Sequence, residues 1–419
     1  MTYEHLDEEA RQILRDNDRG SYTVPTSGLY PYQWNWDSAF AAWGFSTFDN
    51  NRAWVELETL FASQWEDGMV PHIIFHRQVP EYFPGPDVWG VEHTPPTSGI
   101  SQPPIAATMA RAVYESDKAA GRARLEGLYE GLLNWHRWFM RARVTDGLCC
   151  VTHPWESGRD NAPDWDSSMA NVDTSMVGEY TRRDTSHVNN DMRPTKQQYD
   201  QYLALLYFSR DCGWDIDTIN EKSPLRVADP GMHFMLLRAH RDLLWIAQEF
   251  GKPDGAEIQG WIDSMVESAE KFWNADGGYY DSINMRAGEF TNTLSCASFY
   301  CWYAGMDDTR MIPHLERILA AVKYPVPSID PEAPGFDHIR YWRGPLWCMA
   351  NSQIGAGLAE MGHTELAEKV RLGTRAVIAD HGFAEYHSPV DGTPAGGQHF
   401  TWTAAVWLTF ASPQAKGGF

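Results

Sequence analysis

Residues Asp229–Pro253 read DPGMHFMLLRAHRDLLWIAQEFGKP, a helix written with its own start and stop signals. Asp229 is a residue type that accepts the first unpaired amides of a helix, and Pro230 suits a first turn, where no amide is needed. Gly251-Lys252-Pro253 then stops the pattern near Phe250. Further up the chain, Leu125, Leu128, Leu132, Trp135 and Phe139 form an apolar stripe at helical spacing. Working outward from these two, helical patterns recur near 38–48, 50–64, 103–119, 196–210, 256–273, 291–304, 310–321, 344–361, 363–379 and 400–411. Strand-like alternation is rare, so the expected class is all-α.

Long connections at 67–102, 144–195 and 322–343 are rich in Pro, Gly, Trp, Asp and His. Long irregular loops in a compact domain are usually functional. Helical hairpins set in a ring, with such loops gathered on one face, make an (α/α)6 toroid, or barrel. Pattern alone leaves an α-solenoid open, and no clean internal repeat is visible. The expectation is one catalytic domain over 1–419, with the insertions at about 67–102 and 144–195 forming a cap.

The 419 residues include 43% apolar ones, ample for a large core. The formal charge of -22, from 34 basic and 56 acidic residues without a basic run, argues against nucleic-acid or anionic-membrane partners. The charged stretch from Met1 to Asp18 lacks a signal-peptide core, and no apolar run is long enough to span a bilayer. Six cysteines (149, 150, 212, 296, 301, 348) show no metal or disulfide framework. A cytoplasmic protein with reduced thiols is expected. A homo-oligomer such as a dimer leaves no mark in a sequence this rich in aromatics.

Those aromatics, 19 Trp, 18 Tyr and 18 Phe, are the unusual part of the composition. Many must be core, because large rings dominate burial. Several, including Trp34, Trp36, Tyr82, Trp89, Trp155 and Trp342, stand beside Gly, Pro and Asp in loop-like sequence. Rings stack on the C–H faces of sugars while Asp, Asn and Gln bond their hydroxyls. Within this setting, Trp155-Glu156-Ser157-Gly158-Arg159-Asp160-Asn161 and Phe383-Ala384-Glu385-Tyr386 each offer a carboxylate. Two carboxylates facing one aromatic pocket are what glycosidic bond cleavage requires.

Tyr30–Asp37 (YPYQWNWD), Glu156–Asn161 (ESGRDN), Tyr341–Pro345 (YWRGP) and Phe383–Tyr386 (FAEY) occur in that order. Together they resemble glycoside hydrolase family 63, most closely its short bacterial members acting on mannosylglycerate or glucosylglycerate. The resemblance runs from about Asp18 to Trp407. It implies an (α/α)6 barrel, α-linked substrates, inversion of configuration and no cofactor. It also implies Asp160 as general acid and Glu385 as general base. An inverting pair stands about 6.5–9.5 Å apart to leave room for a water. Asp160 must then stay protonated, and Glu156 and Asp164 are placed to supply the repulsion that keeps it so. Glu156 is also its rival for the acid role, or a structural or sugar-binding carboxylate.

The same resemblance places Trp34, Trp36 and Asp37 around the cleaved sugar, and Trp342 and Arg343 near the same pocket. Asp37 could instead be a helix cap. Glycerate would demand a cation, and Arg193 suits it because guanidinium grips a carboxylate through two bonds. Arg193 could otherwise pair with Asp191 or Asp184 at the surface. Tyr30, Tyr82, Gln102 and Tyr341 resemble positions that donate to glycerate, and Trp155 belongs to the binding wall. His72 and His76 would share a helix face, but the Ile73-Ile74 run and a missing third ligand argue against zinc. Gly396-Gly397-Gln398-His399 lacks a P-loop lysine and fits a close backbone approach beside Glu385. The leading expectation is an inverting glycosidase on a small charged glycoside. A kojibiose- or other glucobiose-cleaving relative, a sugar epimerase on the same toroid and a non-catalytic sugar-binding protein are the alternatives.

Overall fold

Asp229 accepts hydrogen bonds from the amides of Gly231 and Met232 at 3.1 and 3.2 Å, so the helix Pro230–Glu249 starts where the sequence signals it. The computed structural model describes residues 3–182 and 188–415. Pro230–Glu249 is one of six inner helical segments. The others are Asn35–Phe45, Ala106–Ser116, the short pair Cys296–Phe299 and Tyr300–Tyr303, Cys348–Glu360, and Thr401–Val406 with its π-helical continuation Trp407–Ala411.

Each inner segment packs on the next, and Thr401–Val406 packs back on Asn35–Phe45. That last contact closes the ring and excludes a solenoid, which would leave two free ends. Outer helices Glu4–Asn17, Asn50–Phe61, Lys118–Ala142, Gly255–Ser268 and Thr364–His381 each pack on one inner segment or across two neighbouring ones. Ile312–Ala321 takes the sixth outer place in chain order, with Leu315 and Ile318 in the core. The chain is an (α/α)6 toroid.

Burial follows position in the ring. Every residue of Asn35–Phe45 is buried, whereas Glu4–Asn17 buries Leu6, Ala10, Ile13 and Leu14 on one face. No helix among the described residues is long and apolar enough to cross a membrane.

Three expectations about elements need correction. The helix expected from 38 begins at Asn35, which puts Asp37 in its first turn rather than at a cap. The helix expected over 291–304 shrinks to 296–303, because Glu289–Phe290 is a strand and Asn292 is left-handed at φ 57°. The third correction is a five-stranded antiparallel sheet of Val144–Thr145, Leu148–Val151, Val227–Ala228, Ile283–Asn284 and Glu289–Phe290. Strands of two to four residues carry too little alternation to be read. Small as it is, this sheet leads the chain from Val151 straight into the loop that bears Asp160.

Candidate active site

The loop after Val151 is held by its own side chains. The Ser157 hydroxyl donates to the Pro154 carbonyl at 2.7 Å and accepts the Arg159 amide at 3.0 Å. Arg159 points inward, pairing with Asp164 at 3.2 Å and with Asp229, the cap of the inner helix, at 2.7 Å. Asn161 accepts the Trp342 amide at 2.9 Å. Gly158 is left-handed (φ 68°), and a Cβ there would lie 2.5 Å from the Trp36 ring. Its neighbours thus committed, half-buried Asp160 lines a cavity walled largely by aromatic rings. The Tyr202 hydroxyl steadies it by donating to its backbone carbonyl at 2.9 Å.

Glu156 takes none of that cavity. Both of its oxygens are engaged in the interior, one by Arg143 at 2.6 and 2.8 Å, the other by the amide and hydroxyl of Thr152. Glu156 and Asp164 each bond an arginine, so the repulsion expected from them at Asp160 is offset by those cations.

Glu385 enters the same cavity from the far end of the chain and is only 1% exposed. The antiparallel strands Tyr386–His387 and Pro394–Ala395 fold the glycine pair back onto it. The Gly397 amide donates to Glu385 Oε2 at 2.8 Å, and the Glu385 amide donates to the Gly397 carbonyl at 2.7 Å. A Cβ on Gly396 would sit 2.3 Å from that same Oε2, and its φ is 71°. Oε1 accepts from the Tyr30 hydroxyl at 2.9 Å and lies 3.5 Å from Arg193 Nη1. Burial raises the Glu385 carboxyl above its usual range, opposed by Arg193, the Gly397 amide and Tyr30.

Arg193 is buried, 5% exposed, with its guanidinium 4.4 Å above the Tyr341 ring. It pairs with Glu385 in the interior; of the surface partners weighed from sequence, Asp184 lies outside the described residues. Tyr341 is held left-handed at φ 44° between Trp347 and Tyr386. Burial keeps the Tyr30 and Tyr341 phenols protonated, hence able to donate.

On the opposite wall, the pairing of Gln33–Trp34 with Ile73–Ile74 presents Trp34, Trp36 and Asp37 to the cavity. Burial, then the Glu385 charge, raises the Asp37 carboxyl well above its ordinary value. Gln102 accepts the Trp36 amide at 3.3 Å, and Tyr82 packs edge-on to Trp34. Trp155 stacks on His72 and meets Tyr199 and Tyr202.

Of the residues assigned from sequence to the acid, the base or the binding wall, Trp342 and Arg343 fall outside this cavity. Trp342 stacks on Trp347 at 4.0 Å behind the wall, and Arg343 pairs with Asp166 in a neighbouring cavity that also touches Asp160. His72 and His76 flank the short strand Ile73–Ile74 and share no helix face: His72 lines the cavity, and His76 bonds Gln33. Tyr199, Tyr202, Phe400 and Trp402 line the cavity and were missed. The signal for the first two was their spacing on one face of Lys196–Asp211, directly after Arg193.

The sequence pattern of the mannosylglycerate hydrolase MGH1-like glycoside hydrolase domain matches residues 30–403. The mannosylglycerate hydrolase of Thermus thermophilus is 42% identical over 411 residues, covering 96% of this chain and 99% of that one. A more distant relative, the glucosylglycerate hydrolase of Mycolicibacterium hassiacum, is 32% identical, covering 97% and 98%. Among solved structures, a GH63 mannosylglycerate hydrolase from Thermus thermophilus in complex with Tris and D-glycerate superposes with a TM-score of 0.93 at 42% identity, covering 96% of this chain and 98% of that one.

Proposed function

Because this chain belongs to the MGH1-like glycoside hydrolase family and is a glycoside hydrolase, we propose that it cleaves 2-O-α-glycosylglycerates, mannosylglycerate or glucosylglycerate, with inversion. One observation carries the reading. Asp160 and Glu385 line one cavity with Arg193, Tyr30 and Tyr341, so two carboxylates meet a cation and phenol donors suited to an anionic leaving group.

In the proposed reaction, Asp160 gives its proton to the glycosidic oxygen while Glu385 takes one from a water. The water oxygen bonds to the anomeric carbon on the face opposite the breaking bond. The products are the free sugar and glycerate, and Asp160 and Glu385 exchange protons with solvent before the next turnover. Sugar hydroxyls donating to Asp37 would restore the solvation that burial removed. Trp34, Trp36 and Trp155 would enclose the ring and keep out bulk water.

We read the 67–102 and 144–195 segments as a cap on the toroid, since they bring Tyr82, Gln102, Trp155, Asp160 and Arg193 to the cavity. Membership in a hydrolase family leaves no place for the epimerase and sugar-binding alternatives. The test is hydrolysis of α-mannosylglycerate, α-glucosylglycerate and kojibiose in parallel. A glycosylglycerate should be the better substrate. Arg193→Ala should raise its KM roughly 10–100-fold, the worth of a charged hydrogen bond, and change kojibiose little. Equal losses on both would remove Arg193 from glycerate recognition.

A further inference from the structure

Arg193 stands against two partners at once, one in the structure and one in the proposed substrate. We propose that the negative charge of the leaving group tunes the general base: Arg193 is shared between Glu385 and the aglycone carboxylate, and binding an anionic aglycone makes Glu385 a stronger base than in the empty enzyme. The inference rests on the glycosylglycerate reading above.

The geometry leaves Arg193 little freedom to serve the partners separately. Its guanidinium is clamped between Glu385 and the rings of Tyr341 and Tyr30, at 4.4 and 5.8 Å from their centroids. The preceding residue is tethered as well, because the Tyr386 hydroxyl donates to the Met192 carbonyl. A carboxylate that reaches this guanidinium therefore arrives close to Glu385.

The groups facing Glu385 come from every side of the site. Arg193 and Tyr30 lie on Oε1, the Gly397 amide on Oε2, the phenols of Tyr341 and Tyr386 nearby, and the Asp37 carboxylate is within electrostatic reach across the cavity. Tyr30, Tyr341 and Tyr386 are kept neutral by burial. Among the described residues, Arg193 is thus the cation that favours ionised Glu385 in the empty site, and so weakens it as a base. A bound carboxylate cancels that field and adds repulsion. Glu385 then holds a proton more tightly and takes one from water more readily. A neutral aglycone leaves Arg193 on Glu385, and the gain is absent.

The experiment is a pair of pH–rate profiles with α-mannosylglycerate and with its glyceramide analogue, whose carboxylate is an uncharged amide. The acidic limb of kcat/KM reports the free enzyme, and that of kcat reports the complex. The glycerate carboxyl itself titrates near about 3.5, below the raised Glu385. With the glycerate, the kcat limb should lie on the order of one pH unit above the kcat/KM limb, at the low end of a close charge's effect. With the amide the two limbs should coincide. Arg193→Gln should move the kcat/KM limb upward for both substrates and shrink the offset seen with the glycerate, since only the direct repulsion of the bound carboxylate then remains. Hydrolysis of both with the same offset, or of the glycerate with none, would overturn the coupling while leaving the assigned function intact. No turnover of either would overturn that function, and the coupling with it.

Discussion

Arg143 and Glu156 face each other behind the cavity wall, each at most 4% exposed at the side chain. Removing one partner of such a pair strands the other charge, at a cost of about 3–5 kcal/mol. Glu156→Ala should therefore lower stability by that order in denaturant titration, while the remaining folded molecules keep their turnover rate. Asp160→Asn should do the reverse. Its side chain is half-buried and its loop is held by other residues, so stability should change little. The rate should fall about 10²–10⁴-fold, the worth of a general acid. A Glu156 variant that folds normally but is inactive would exchange the two roles. The sequence set these carboxylates four residues apart as rivals. What separates them is Arg143, at the end of a different helix, and no local pattern reports that contact. Trp342 and Arg343 stand beside the cavity and not in its lining for a related reason: Tyr341 turns left-handed into the cavity, and the next two side chains leave it.

At the scale of elements, the hairpin after Glu385 is a brace for one carboxylate. Gly396→Ala would place a methyl 2.3 Å from Oε2 at a φ of 71°, so carboxylate or hairpin must shift. A displacement near 1 Å at a reacting group costs roughly 10²-fold in rate. The expected result is a kcat loss of that order with KM nearly unchanged; wild-type kcat would remove the brace from the account. The role of the glycine pair was legible because Gly-Gly beside an expected base has few other uses. Helix starts set by local chemistry were equally legible, as at Asp229-Pro230. The short strands were not, and neither was the left-handed Asn292 that delays the Cys296 segment. Lys196–Asp211 shows a further limit, since Tyr199 and Tyr202 look like any core aromatics until the helix is seen to border the cavity.

For the whole molecule, the decisive contact is between Asn35–Phe45 and Thr401–Val406, some of the most distant helices in the chain. Periodicity cannot announce it, which is why a solenoid stayed open until the ring was seen to close. Buried Asp7 adds a tie across the same seam, accepting from Trp407 Nε1 at 2.7 Å and the Ser412 hydroxyl at 2.8 Å. A ring buried this thoroughly also encloses histidines. His153, His233 and His387 each bond a carbonyl, and burial pushes each down to about 4 from an ordinary 6.5. Folded values below unfolded ones give stability that is complete above about 6.5 and lost as pH falls toward 4. Each histidine should contribute a slope of about 1.4 kcal/mol per pH unit in that window. Denaturant midpoints should therefore drop between pH 6.5 and 5 yet stay level from 7 to 8; a flat profile across both would contradict it. All of this serves one reaction, and its stereochemistry is the most direct check. Proton NMR of the enzyme with α-mannosylglycerate and α-glucosylglycerate should show the β-anomer of the free sugar first, before mutarotation, alongside glycerate. First appearance of the α-anomer, or no cleavage of either compound, would contradict the account.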